Sequence, residues 1–205
     1  MDEPDVRLSR VIAAHAGIGA GLSFAHSLRA RGLRRSLLFA ACGPLGVVLG
    51  WYTVADGTFA IVEGRLPGLV ADEDRWGRLL APGTALVATS LDLVLDCFGL
   101  ERGLWEWSID GPYAAEIRGP NGKRGIPLLN FAGWLALISG VVLAYRSLTP
   151  GDAGRPGSVR TAALLPLSYY LPAAAWAIRR RKWKYLLRSA LFPVALAAAL
   201  YRGDG

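Results

Sequence analysis

Asp92 and Asp96 stand four residues apart inside an apolar run from Leu79 to Leu100. Positions i and i+4 are neighbours on a helix face, so two carboxyls at this spacing can act as a unit. A charged side chain at bilayer depth costs about 2.5 to 3.5 kcal/mol on insertion scales, which makes acids in a membrane helix functional candidates, for acid–base work or a proton relay. The residues that follow are dense in motif. Trp105-Glu106-Trp107 comes first, then Asp110-Gly111-Pro112-Tyr113, Gly119-Pro120-Asn121-Gly122, and a segment from Gly125 to Trp134 that contains Pro127 and Asn130.

The elements that must carry these residues are apolar. The chain has 205 residues, of which 53% are hydrophobic, and a mean hydropathy of +0.33. A helix crossing a bilayer needs about 20 mostly apolar residues. Six runs approach that length: about Val11–Leu28, Ser36–Val54, Leu79–Leu100, Ile126–Tyr145, Thr161–Ile178 and Trp183–Tyr201. The expected fold is therefore all-α, a multi-pass transmembrane bundle of about six spans in one domain covering residues 1–205. The charges orient it. Arg29, Arg31, Arg34 and Arg35 lie between the first two runs, and Arg179, Arg180, Arg181, Lys182 and Lys184 between the last two. Both clusters fall on the same side of a six-span chain, which the positive-inside rule makes cytoplasmic. The acidic stretch Ala55–Arg78 and both termini then lie outside, with the plasma (inner) membrane as the location. The basic run is also suited to anionic lipid.

A parallel internal repeat is also visible. Pro44 and Trp51 are seven residues apart within a Gly- and Leu-rich segment, as are Pro127 and Trp134. In the six-span arrangement both segments open helices of the same orientation, a common way to build a membrane fold around a central site; chance similarity among Gly- and Pro-rich helices is the alternative.

Several function classes find no support. The net charge of +7 is spent on loops beside apolar runs, not on a nucleic-acid surface. No Gly-rich nucleotide fingerprint, Ser/His/Asp arrangement or metal-ligand cluster is present. His15 and His26 are eleven residues apart without a second ligand pair, and Cys42 and Cys97 lie in apolar runs as expected buried thiols. No cleavable signal is evident in the acidic, polar first ten residues.

The order Leu91-Asp92-Leu-Val-Leu-Asp96, Gly103-Leu-Trp105-Glu106-Trp107, Gly111-Pro-Tyr113 and Gly125-Ile-Pro127-Leu-Leu-Asn130-Phe131-Ala-Gly133-Trp134 resembles the signature of the integral-membrane carotenoid biosynthesis proteins. The best-known members of that family are carotenoid 1,2-hydratases, including gamma-carotene 1'-hydratase and bisanhydrobacterioruberin hydratase. The resemblance is close over about Leu91–Trp134, with a looser echo at Pro44–Trp51. The chain departs from the family pattern before that echo. A glutamate and a Gly/Tyr-rich turn usually stand there, and no counterpart lies between Leu33 and Gly43, so an abbreviated member is expected.

The resemblance implies hydration of the terminal isopropylidene double bond of an acyclic or monocyclic carotenoid dissolved in the bilayer. It implies no cofactor and no metal. Such a reaction needs an acid to protonate the alkene, surroundings that tolerate a tertiary cation, and an activated water. A carboxyl buried in apolar surroundings beside a second one is suited to hold its proton near neutral pH. Asp92, Asp96 and Glu106 are the candidate catalytic groups; Trp105, Trp107, Tyr113, Trp134 and Trp51 are candidates to line the polyene, since aromatic faces attract a developing cation. Asn130 offers amide donors and an acceptor to position water. Plainer roles stand beside these: the acids can bond neighbouring helices or Arg102, the Trp-Glu-Trp element can belong to an interfacial belt, and the Gly-Pro elements form turns regardless of function. Two other classes fit the same features less fully: a non-catalytic carotenoid-binding component that partners other pathway enzymes or a second copy of itself, and a small transporter using the acids as a proton relay.

Overall fold

The structure, a computed structural model, describes residues 49–65, 77–148 and 159–202, together with isolated helical positions 18, 21, 25, 28, 33, 34 and 37. Of the first expected span only positions 18, 21, 25 and 28 are described, and Pro44, both histidines and Cys42 lie outside the described residues. In chain order the elements are α1 (Leu49–Arg65), α2 (Gly77–Arg102), β1 (Tyr113–Arg118), β2 (Arg124–Ile126), α3 (Leu128–Leu148), α4 (Val159–Arg179), α5 (Trp183–Arg188) and α6 (Leu191–Arg202).

α2 is the axis of the assembly and contacts every other described element. Its inward positions Leu80, Ala85, Ala88, Leu91, Val94, Cys97 and Leu100 are buried. The polar hydroxyls along such a helix need partners, and Thr84 donates back to the Leu80 carbonyl at 2.8 Å while Ser90 donates to Val87 at 2.9 Å. Two of the described helices, α2 from Leu79 and α3, are long and apolar enough to cross a membrane. The apolar stretch of α2 is 72% buried and that of α3 33%, so α3 turns apolar side chains outward: Leu128, Leu129 and Leu143 are exposed while Phe131, Trp134, Ile138 and Val142 face the core.

Three expectations need correction. The fold is helical but not purely α, because β1 and β2 pair as an antiparallel hairpin, Tyr113 opposite Ile126 and Arg118 opposite Arg124, with a register shift between. The hairpin follows from local chemistry. Gly111 donates to the Arg124 carbonyl at 2.8 Å, and a Cβ at Gly111 would stand 1.9 Å from the Ile126 carbonyl carbon, so only glycine admits this approach. Asp110 accepts the Arg124 N–H, Asn121 accepts the Lys123 N–H, and Gly122 closes the turn at φ +81°.

The second correction concerns the segment after the run 36–54. The described helix there is Leu49–Arg65, carrying Asp56 and Glu63 into what was expected as an outer loop. Phe59, Ile61 and Val62 bury themselves in the main core, and Thr58 is satisfied by the Val54 carbonyl at 2.6 Å, so core burial extends the helix past its acids. The third is the last run, 183–201, which is two helices instead of one. Pro193 has no N–H to give the Ser189 carbonyl. That carbonyl instead accepts from Phe192 N at 3.2 Å, three residues on, and the Ser189 hydroxyl meets Tyr170 OH at 3.3 Å.

Candidate active site

The acid pair lies at the centre of this arrangement. Asp92 is 2% exposed and Asp96 5%, and each turns an Oδ2 towards the same donor. Asn130, three residues into α3, donates from Nδ2 to Asp92 at 3.2 Å and also to Asp96. Trp134, one turn after Asn130, packs in a cluster with Ala85 and Ala88, one to two turns before Asp92, so α2 and α3 run antiparallel at this level. Pro127 leads into the helix, and the Asn130 N–H returns to its carbonyl at 3.0 Å.

The hairpin delivers Tyr113 to the same stretch of α2. Its hydroxyl donates to the Leu93 carbonyl at 2.9 Å, between the two acids in sequence, and the Cys97 thiol reaches that carbonyl at 3.3 Å. Burial pushes the Tyr113 phenol up, so it remains a donor. Its ring meets Phe131 edge-on at 5.0 Å and lies 5.9 Å from Tyr185, with the Arg188 guanidinium 5.2 Å from its centroid. Ala114 beside it adopts φ +56°, a left-handed conformation costing a non-glycine residue about 1 kcal/mol, at the place where the strand register shifts.

Trp105 closes the other end of the pair. After α2 the chain folds back, Leu104 N donating to the Gly99 carbonyl at 2.9 Å, and the indole lies on the bare face of Gly99, whose added Cβ would meet ring carbons at 2.0 to 2.4 Å. The indole is in interaction range of Asp96, yet its buried N–H forms no hydrogen bond among the described residues. Trp107 is half-buried against the core, its own N–H equally unpartnered.

Two of the sequence candidates stand apart. Glu106 is exposed and makes no part of the acid–amide cluster. Trp51 lies in the first turn of α1, and its side chain is outside the description. What sequence reasoning missed is the set of supports around the site. Glu101 accepts Trp176 Nε1 at 3.0 Å and Lys182 Nζ at 3.1 Å and pairs with Arg180 at 3.3 Å, tying the end of α2 to the end of α4. Glu116 on β1 accepts the buried Tyr185 hydroxyl and pairs with Lys184. Partial burial works against ionisation there, but the hydrogen bonds from Lys184 and Tyr185 bring the Glu116 carboxyl down to about 2. The basic run looked like a charge signal alone; its alternation with Trp183 and Tyr185 was the available hint that it also makes specific contacts.

A helical assembly with a buried acid pair held by an amide from the facing helix, and aromatic side chains at both ends, defines a class of helical proteins built around a polar centre. The family model described as "Carotenoid biosynthesis protein" matches residues 14–201. The chain belongs to that family. No curated protein and no solved structure matches the chain.

Proposed function

We propose that this protein is a membrane-embedded carotenoid hydratase that adds water across the terminal 1,2 double bond of an acyclic or monocyclic carotenoid. The observation that carries this is the Asp92–Asp96–Asn130 cluster, two carboxyls sealed from solvent and joined by one amide, in a chain of the carotenoid biosynthesis family.

In this mechanism the pair holds one proton between its carboxyls, as two closely spaced acids in an apolar site do. The protonated carboxyl delivers it to the terminal alkene carbon C2, leaving a tertiary cation at C1. Trp105 and the neighbouring aromatic faces stabilise that cation by about 0.5 to 2 kcal/mol per contact. Water attacks C1, and its proton passes to the other carboxylate. The pair ends with one proton, now on the opposite carboxyl, and transfer between the two restores the starting state. Asn130 keeps both carboxyls facing one another throughout. Water is the only co-reactant, and atoms balance without an oxidant or reductant.

The multi-pass bundle belongs to this proposal. Its support is an inverted surface: acids inside, and Leu86, Leu129, Leu164, Leu171 and Val194 outside at 52%, 80%, 65%, 58% and 62% exposure. A helix as apolar as α3, with only 33% of its apolar stretch buried, fits hydrocarbon better than water. Six spans in the plasma membrane, the last of them broken between α5 and α6, with the basic loops cytoplasmic and both termini outside, complete the reading.

The test is expression in a host that accumulates lycopene or an acyclic C50 carotenoid, with pigments analysed by mass spectrometry. A gain equal to one water per end group is the expected result. Unaltered pigment, with the protein verified in the membrane, refutes the hydratase assignment.

A further inference from the structure

The described helices carry several buried hydroxyls, and they behave differently. Thr58 back-bonds to Val54 at 2.6 Å, Thr84 to Leu80 at 2.8 Å, and Ser90 to Val87 at 2.9 Å. This is the ordinary resting place of a hydroxyl on a helix, since the carbonyl three or four residues back lies within its reach. Thr89 does not take it. Its residue is 7% exposed, and its Oγ1 is buried without a hydrogen-bond partner among the described residues. A buried hydroxyl left unmatched costs about 1 to 3 kcal/mol, so its place in the fold matters.

That place is the stripe bearing the acid pair. At 100° per residue, Thr89, Asp92, Asp96 and Gly99 fall within about 80° of one another around α2. Thr89 lies one turn before Asp92, and Gly99, one turn beyond Asp96, carries Trp105 on its face. The acids in the middle are bonded to Asn130; at one end the Trp105 indole points within interaction range of Asp96 without completing a hydrogen bond, and at the other the Thr89 hydroxyl has no partner among the described residues. Neither resembles a packing defect. A threonine that could bond Ala85 in its own helix, as its neighbours bond theirs, instead leaves its hydroxyl unmatched one turn before Asp92 on the same stripe.

We propose that Thr89 is the oxygen-holding group of the site: its hydroxyl binds the attacking water before reaction and the tertiary alcohol of the product afterwards. The inference rests on the hydratase reading for the first half of that statement and on geometry alone for the second. A hydroxyl both donates and accepts, so Thr89 can accept from the water while the water's second hydrogen points to the acid pair. After transfer it can donate to the new carbinol oxygen. The ligand class is therefore a polyene with a polar, hydroxyl-sized end, held at the acid pair between Thr89 and Trp105.

The test uses Thr89→Val, which keeps shape and removes the hydroxyl, and Thr89→Ser, which keeps the hydroxyl. Two quantities are read on purified full-length protein in detergent: kcat and KM for the unhydrated pigment, and relative affinity for the 1-hydroxylated over the unhydroxylated carotenoid, followed by tryptophan quenching. Thr89→Val is expected to lower kcat by about ten- to a hundredfold with KM changed less than about threefold, and to erase the preference for the hydroxylated pigment. Thr89→Ser is expected to stay within about threefold of wild type in both. Wild-type kcat and preference in Thr89→Val overturn the role of Thr89 while leaving the hydratase assignment intact. If the wild-type protein hydrates nothing, that assignment falls, and the affinity ratio decides Thr89 by itself: a preference lost in Thr89→Val sustains the oxygen-holding role, and no preference, or one unchanged in the variant, overturns it.

Discussion

Substituting Gly99 by alanine perturbs the site without touching either acid. The added Cβ would stand 2.0, 2.3 and 2.4 Å from three carbons of the Trp105 ring, whereas ordinary contact begins at 3.4 Å. The ring must withdraw by about 1.4 Å, since a helix backbone bonded on both sides yields less than a side chain beyond its end. Alanine gains about 0.8 to 1 kcal/mol of helix propensity over glycine, and overpacking costs about 1 to 3 kcal/mol, so the net loss of stability is expected at about 0 to 2 kcal/mol. The functional loss is separate from this: displacing an aromatic face by more than an ångström removes most of one cation–aromatic contact, about 0.5 to 2 kcal/mol, or roughly two- to thirtyfold in turnover. Gly133 and Gly140 on α3 serve as internal controls, because a Cβ at either meets nothing within 4 Å; alanine there should leave turnover unchanged and stability equal or higher by up to about 1 kcal/mol. The assay pairs thermal unfolding in detergent and near-ultraviolet circular dichroism of the indole with hydrated pigment per unit of protein. Wild-type turnover in Gly99→Ala, with an altered indole signal proving that the ring has moved, would refute the assignment of Trp105 to the reacting end of the polyene.

Asp92→Asn and Asp96→Asn should each reduce hydration by at least about a hundredfold, the lower range for losing a general acid or base, with membrane insertion intact by protease protection. Tyr113→Phe keeps the ring contacts and removes the bond to the Leu93 carbonyl, so it should cost about 1 kcal/mol of stability with turnover nearly preserved; a collapse of turnover at unchanged stability would instead make the phenol a participant in the reaction. Glu116→Gln tests the hairpin tie through pH. The folded carboxyl at about 2 lies below the ordinary glutamate value of about 4.3, so its contribution is fully present above the latter and disappears as pH falls towards the former. The stability difference between wild type and Glu116→Gln, about 1 kcal/mol or less for so exposed a pair, should be constant above about pH 5 and vanish near pH 2, as read by thermal unfolding across that range; a difference that grows with acid would contradict the tie.

What the sequence discloses here is a matter of range. Asp92 and Asp96 announce themselves because two acids in an apolar run are anomalous within a few residues of context, and Asn130 because Pro127 and Trp134 frame it. Their meeting depends only on two long helices packing antiparallel. The hairpin was less legible. Its strands have six and three residues, too short for alternation to register, and their pairing depends on a backbone approach at Gly111 that appears only in three dimensions. The break at Ser189 was written in Pro193, but an apolar run from Trp183 to Tyr201 reads as continuous when hydropathy alone is followed. Thr89 was invisible for a different reason: one threonine resembles another until the hydrogen bonds of all of them are compared.

The amide that joins the two acids comes from far along the chain. Asn130 lies 38 residues after Asp92 and 34 after Asp96. At a synthesis rate of about 5 to 20 residues per second, α2 leaves the ribosome roughly 2 to 8 seconds before its partner exists. During that interval the amide that joins the two carboxyls in the finished protein is missing. On the membrane reading proposed above, α2 is inserted before the acid pair has its amide partner, and the arrival of α3 converts a costly passenger into an organised centre.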